Sequence, residues 1–140
     1  MAPSNLAVTF TYNGSATAPT AAGSYAVVAT INDTNYAGSA TGTLVIAKAA
    51  ATVTLGSLSA TADGNPHPAT ATTTPAGLNV TFTYSGSATV PTAIGSYTVV
   101  GTINDANYIG SATGTLVLAA PIPDFTFAST GSGSLTVAAG

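Results

Sequence analysis

The chain of 140 residues has no cysteine, tryptophan, arginine or glutamate, and its charged residues, one lysine and four aspartates, make up 4% against 46% hydrophobic. A soluble domain ordinarily carries about 25% charged residues. Nucleic-acid binding rests on lysine and arginine neutralising phosphates, and Lys48 alone is available, so that class is set aside. Soluble helices place Glu, Lys and Arg on their wet faces, and their scarcity argues against an all-helical domain. Without cysteine there is neither a disulfide framework nor a thiolate metal site, although this says little about compartment. No apolar run reaches the ~18 residues of a transmembrane helix, so membrane insertion is not expected. The opening residues Met1 to Leu6 show neither a charged nor an apolar leader region, so any export signal is expected upstream or of another kind. The formal net charge of −3 is weak and dispersed, which makes electrostatic steering a poor working principle.

What is present is threonine, serine and alanine, with 15 glycines, eight prolines and six tyrosines. Threonine and valine suit a pleated surface, and glycine, proline and asparagine mark turns, so the composition predicts an all-β chain. Residues 3–47 align without a gap on 75–119 at an offset of 72, with 34 of 45 positions identical. Residues 48–74 have no counterpart upstream in this sequence. The expected organisation is therefore an incomplete repeat over 1–48, a complete one over 49–120, and a two-strand segment over 121–140 behind Pro121-Ile122-Pro123. Within the complete repeat the period is two. Leu78, Val80, Phe82 and Tyr84 alternate with polar residues, as do Tyr97, Val99, Gly101 and Ile103, and Thr113–Leu118 makes a further strand. Thr52–Leu55 and Ala69–Thr73 supply two shorter ones. Several short strands at this spacing predict a sandwich.

These residues also carry a resemblance. Pro19–Val27, Ile31–Ala40 and Gly42–Ile46, repeated at Pro91–Val99, Ile103–Ala112 and Gly114–Leu118, resemble the "mostly beta, glycine-rich" (MBG) domain. The likeness spans residues 3 to about 119. It implies immunoglobulin-like β-sandwich repeats in tandem, of the kind that recur in exported bacterial surface proteins and adhesins, and an extracellular or cell-surface location. The family supplies no catalytic residue to carry over.

Several motifs invite a chemical reading. Asn32-Asp33-Thr34-Asn35-Tyr36 and Asn104-Asp105-Ala106-Asn107-Tyr108 cluster oxygen-bearing side chains, but each offers one carboxylate where calcium takes six to eight oxygens. An Asx-type turn fits these residue types better. His67 lies between Pro66 and Pro68, with Asp63 nearby as a potential orienter of a hydroxyl nucleophile. A histidine on an exposed loop is the simpler account, and one histidine makes no zinc site. Lys48, at the repeat junction, invites comparison with isopeptide-forming lysines, but that chemistry wants a dry, paired site and an acid, and a solvated junction charge is expected instead. The tyrosines could form a sugar-stacking platform; core or corner packing with the hydroxyl bonded to backbone suits their alternation better. The Asn-x-Ser/Thr strings at Asn13, Asn32 and Asn79 carry little weight for a bacterial chain.

A sheet lacking its first strands leaves apolar rows and an open edge that recruits other strands unless charge, proline or a bulge blunts it. The expected assembly residues are Leu6, Val8 and Phe10 on the first repeat and Phe125, Phe127, Leu135 and Val137 in the C-terminal segment. Residues 124–138 of one molecule are expected to complete the first repeat of the next by strand addition. The expected partners are copies of the chain or neighbouring repeats meeting at sheet edges. The rival readings are a stalk segment cut from a longer chain and an adhesin module binding glycan. No cofactor, metal or catalytic cluster is expected, since hydrolytic chemistry needs positioned titratable groups.

Overall fold

In the computed structural model, which describes residues 3–130 and 134–139 and gives backbone alone over 125–130 and 134–138, every regular element is a strand. In chain order these are β1 (Val8–Tyr12), β2 (Gly23–Ile31), β3 (Ser39–Ile46), β4 (Ala49–Ala50), β5 (Thr52–Gly56), β6 (Ser59–Thr61), β7 (Thr70–Thr74), β8 (Val80–Tyr84), β9 (Gly95–Ile103), β10 (Tyr108–Ile109), β11 (Ser111–Ala119), β12 (Phe125–Thr130) and β13 (Ser134–Ala139). The all-β expectation holds.

Each repeat contains the same antiparallel meander, β1-β2-β3 in the first and β8-β9-β11 in the second. Their turns agree in detail. Asn13 and Gly14 have φ of 49° and 85°, and Ser85 and Gly86 have φ of 48° and 86°. Two successive positive φ values are the geometry of the I′ turn, which asparagine and glycine adopt at low cost. The Asn13 side-chain oxygen also accepts the Ala26 N–H at 2.7 Å, and Ser85 Oγ accepts the equivalent Thr98 N–H at 3.3 Å.

The second repeat adds what the first does not have among the described residues. β6 joins β11 in parallel, giving the order β6-β11-β9-β8. β5 and β7 pair antiparallel as a separate layer, and β4 pairs in parallel with β10. The period-two pattern sets the buried face: Val99, Leu116, Leu118, Tyr84 and Ile103 are buried, while Thr98, Thr102, Thr115 and Val117 face out. Gly101 and Gly114 let the layers approach. A Cβ on Gly101 would lie 2.9 Å from Leu55 Cδ2, and one on Gly114 2.9 Å from Leu58 Cδ1.

Several strand bounds differ by one or two residues from the sequence expectation. Strand β8 begins at Val80, two residues after Leu78, because Leu78 N–H is taken by the Thr73 hydroxyl at 3.1 Å instead of a ladder partner. The strands β4, β6 and β10, two or three residues each, were not anticipated, being too short to carry a periodic signal.

Candidate assembly surface

Position by position, the two repeats present the same residues in opposite circumstances. Leu116 and Val99 are fully buried, whereas Leu44, at the place of Leu116, is 36% exposed and Val27, at the place of Val99, is half-buried. Phe82 is partly buried against the core, while its twin Phe10 is 50% exposed. None of residues 3–48 is buried. The cause is the covering layer: Leu55 and Leu58 sit over Gly114, but a Cβ on the equivalent Gly42 would meet nothing within 4 Å. Tyr84 shows the same contrast in hydrogen bonding. Its hydroxyl accepts the buried Ala69 N–H at 2.9 Å, whereas among the described residues no N–H bonds the Tyr12 hydroxyl.

Over the uncovered face runs a concavity of about 310 Å³ lined by Val8, Ala29, Ile31, Gly38, Ser39 and Ala40. The equivalent positions in the second repeat are Val80, Gly101, Ile103 and Gly110–Ala112, and there Leu55 packs on Gly101. The Ala51 carbonyl fills the space a Cβ on Gly110 would need. The concavity is therefore the seat that β5 occupies one repeat later. Of the expected assembly residues, Val8 and Phe10 are exposed on this sheet and Leu6 is half-buried just before it.

The side chains of Phe125, Phe127, Leu135 and Val137 lie outside the described residues, but their backbone forms the β12–β13 hairpin. Its register sets Phe127 opposite Val137, Ser129 opposite Leu135 and Phe125 opposite Ala139. Residues opposite each other in an antiparallel pair share a face, as do residues two apart. The four apolar positions thus fall on one face of the hairpin. Counting on by the repeat offset of 72, Phe125 and Phe127 stand where Val53 and Leu55 stand in β5.

The junction between the repeats is closely joined. Lys48 Nζ donates to the Asp105 carbonyl at 2.6 Å and Ala22 N–H to Asn107 Oδ1 at 2.9 Å. The amides of Ala49, in β4, and of Ala51, just after it, donate to the Asn107 and Ile109 carbonyls at 2.8 and 2.9 Å. Lysine 48 is thus exposed and engaged with a backbone oxygen.

The aspartate motifs form the expected Asx turns. Asp33 Oδ1 accepts the N–H groups of Asn35 and Tyr36 at 2.8 and 3.2 Å, and Asp105 Oδ1 those of Asn107 and Tyr108 at 2.7 and 3.0 Å. Tyr25 and Tyr97 donate their hydroxyls to the carbonyls of Ala21 and Ala93, both at 2.9 Å, which is the corner packing expected of them. His67 Nε2 lies 2.9 Å from Asp63 Oδ1 on an exposed loop. The Asn65 N–H, followed by the His67 ring, holds the Asp63 carboxyl down at a pKa of about 2. Among the described residues no hydroxyl is hydrogen-bonded to the His67 ring, and no three metal-ligating side chains come together.

A meander repeated at a fixed offset, with a covering hairpin and a hydrogen-bonded junction, defines a modular β-repeat protein. Residues 1–50 and 51–121 each match the MBG domain, and the chain belongs to that family of β-rich modules, typical of surface proteins. No curated protein and no solved structure matches it.

Proposed function

We propose that the chain is a structural part of a bacterial surface protein, outside the cell, in which MBG modules close one another's open sheets. The first repeat carries a complete meander with an uncovered apolar face. The C-terminal segment carries a two-stranded hairpin with apolar positions on one face and no meander of its own in this sequence. A hairpin from one molecule laid on the first repeat of the next is a heterologous contact that does not close on itself, so it produces a head-to-tail fibre. The observation that carries this reading is the contrast at Gly42 and Gly114: the same surface is covered by a hairpin in one repeat and bare in the other. Burying apolar area contributes about 25 cal/mol per Å², so a row such as Val8, Phe10 and Leu44 gives the contact a driving force without charge.

Electron microscopy and sedimentation velocity test the reading. The full chain forms linear assemblies that lengthen with concentration, and deletion of residues 121–140 leaves monomers or shapeless aggregate. Fibres of unchanged form from the shortened chain would overturn it. A second reading, an adhesin that stacks a sugar on an aromatic face, is favoured by one observation: Tyr36 is 49% exposed beside its Asx turn. On a glycan array it requires a signal that Tyr36→Ala removes. Neither reading gives the chain a catalytic role, a cofactor or a metal.

A further inference from the structure

The junction between the repeats has two halves. The donor half is the segment that follows the first repeat, with the Lys48 ammonium and the amides of Ala49 and Ala51, together with the Ala22 amide of the first repeat; the acceptor half is the Asp105–Ile109 turn. The first repeat carries its own acceptor half at Asp33–Ala37. It is held in the same shape, since Asp33 Oδ1 accepts Asn35 and Tyr36 at 2.8 and 3.2 Å. The Ile31 N–H also bonds the Gly38 carbonyl at 2.9 Å, as Ile103 bonds Gly110 at 2.8 Å. Among the described residues no donor reaches Asn35 Oδ1 or the carbonyls of Asp33, Asn35 and Ala37 from another module.

The segment that follows the second repeat does not supply a matching donor half. At the offset of 72, Lys48 becomes Ala120, Ala49 becomes Pro121 and Ala51 becomes Pro123. Proline has no N–H. Both strap hydrogen bonds and the ammonium contact are therefore missing at the one end that head-to-tail assembly would bring here, while the intervening residue, Ile122, would point its amide away from the partner strand.

We infer that the Asp33–Ala37 end of the first repeat is a docking surface for another MBG module followed by a segment that carries a lysine and two alternate free amides as residues 48–51 do, and that Pro121 and Pro123 make the segment after the second repeat a poor match for it. The partner is identified by the junction already built inside the chain, whose acceptor residues Asp105, Asn107 and Ile109 stand at the places of Asp33, Asn35 and Ala37. Prolines at donor positions are a repulsive element of the kind that gives an interface selectivity. In a fibre of the proposed kind, the hairpin would cover the open face but leave the strap unmade. The inference uses that reading only for the placement of the tail.

The test restores the donor half in the full chain through Ala120→Lys, Pro121→Ala and Pro123→Ala, three substitutions at exposed positions. Each hydrogen bond is worth a small net gain and every decade of affinity a modest free energy, so three regained donors tighten self-association by at least about tenfold. Sedimentation velocity over a concentration series reads this against the native chain. Asn35→Ala, which removes the acceptor for the amide at position 94, reverses part of the gain in the restored chain and shifts the native chain's association by less than about twofold. Restored and native chains that associate equally overturn the inference. Failure of the native chain to associate at all bears on the fibre alone, because the restored chain is still expected to do so.

Discussion

Gly110 and Gly38 hold the same place in the two repeats, yet a methyl group there meets different neighbours. On Gly110 it collides with the Ala51 carbonyl, which is backbone and tied into the junction; on Gly38 it meets Ile31 Cδ1 at 3.0 Å, the movable end of a side chain. Overpacking against a fixed neighbour costs about 1–3 kcal/mol. Gly110→Ala should therefore lower the stability of the second repeat by about 2 kcal/mol in urea titration, and Gly38→Ala should cost under about 1 kcal/mol in the first. At Asp63 the expectation concerns pH. Its folded pKa of about 2 lies below the ordinary 3.8, so the ionised carboxylate contributes to the Asp63–His67 loop above pH 3.8, and that contribution is lost as pH falls through about 2. A carbon-detected titration of the Asp63 carboxyl should show its midpoint near 2 and not near 4. Residues of this kind were the most legible from sequence. The Asx turns follow from aspartate and asparagine side chains bonding amides two or three residues on, a local matter that needs no knowledge of the rest of the chain. The bond from Tyr84 to Ala69 was not legible in its partner, because the two are 15 residues apart and meet only through the covering layer.

Among the elements, strands with several alternating residues announced themselves. The runs through Val80–Tyr84, Gly95–Ile103 and Ser111–Ala119 were visible because one face is apolar and the other carries threonine. The short β4, β6 and β10 exist because a neighbour is there to pair with, and the first repeat shows as much: Tyr36–Ala37, at the place of β10, is not a strand. The hairpin β5–β7 is the element on which the difference between the repeats turns. Leu55 of β5 and Leu58, just before β6, act on the sheet below, so Leu55→Ala or Leu58→Ala should destabilise the second repeat by about 2 kcal/mol each while leaving the first unaffected. Amide hydrogen exchange separates these effects, with protection falling in β9 and β11 and unchanged in β2 and β3.

For the molecule as a whole, the sequence displayed the repeat and the unmatched segment 48–74 openly, but not how the repeats are joined. The junction depends on which carbonyls face which amides across a gap of some 58 residues, from Ala49 to Asn107. The pairing of β6 with β11 has a further meaning once the chain is put under tension. The two strands run parallel, Val117 beside Ser59 and Ala119 beside Thr61, and they lie near opposite ends of the second repeat. A pull that draws residue 49 one way and residue 119 the other slides β6 and β11 past each other lengthwise. Their cross-links, including Val117 N–H to the Leu58 carbonyl at 3.0 Å and Ala62 N–H to the Ala119 carbonyl at 2.9 Å, are then strained together and not peeled one after another. The β4–β10 pair is parallel as well. Stretched in an atomic force microscope, the second repeat should give way at distinctly higher force than the first, whose described strands are all antiparallel. The module that has its cover is thus also a mechanical clamp, and a chain of such modules would yield first at whichever link still lacks one.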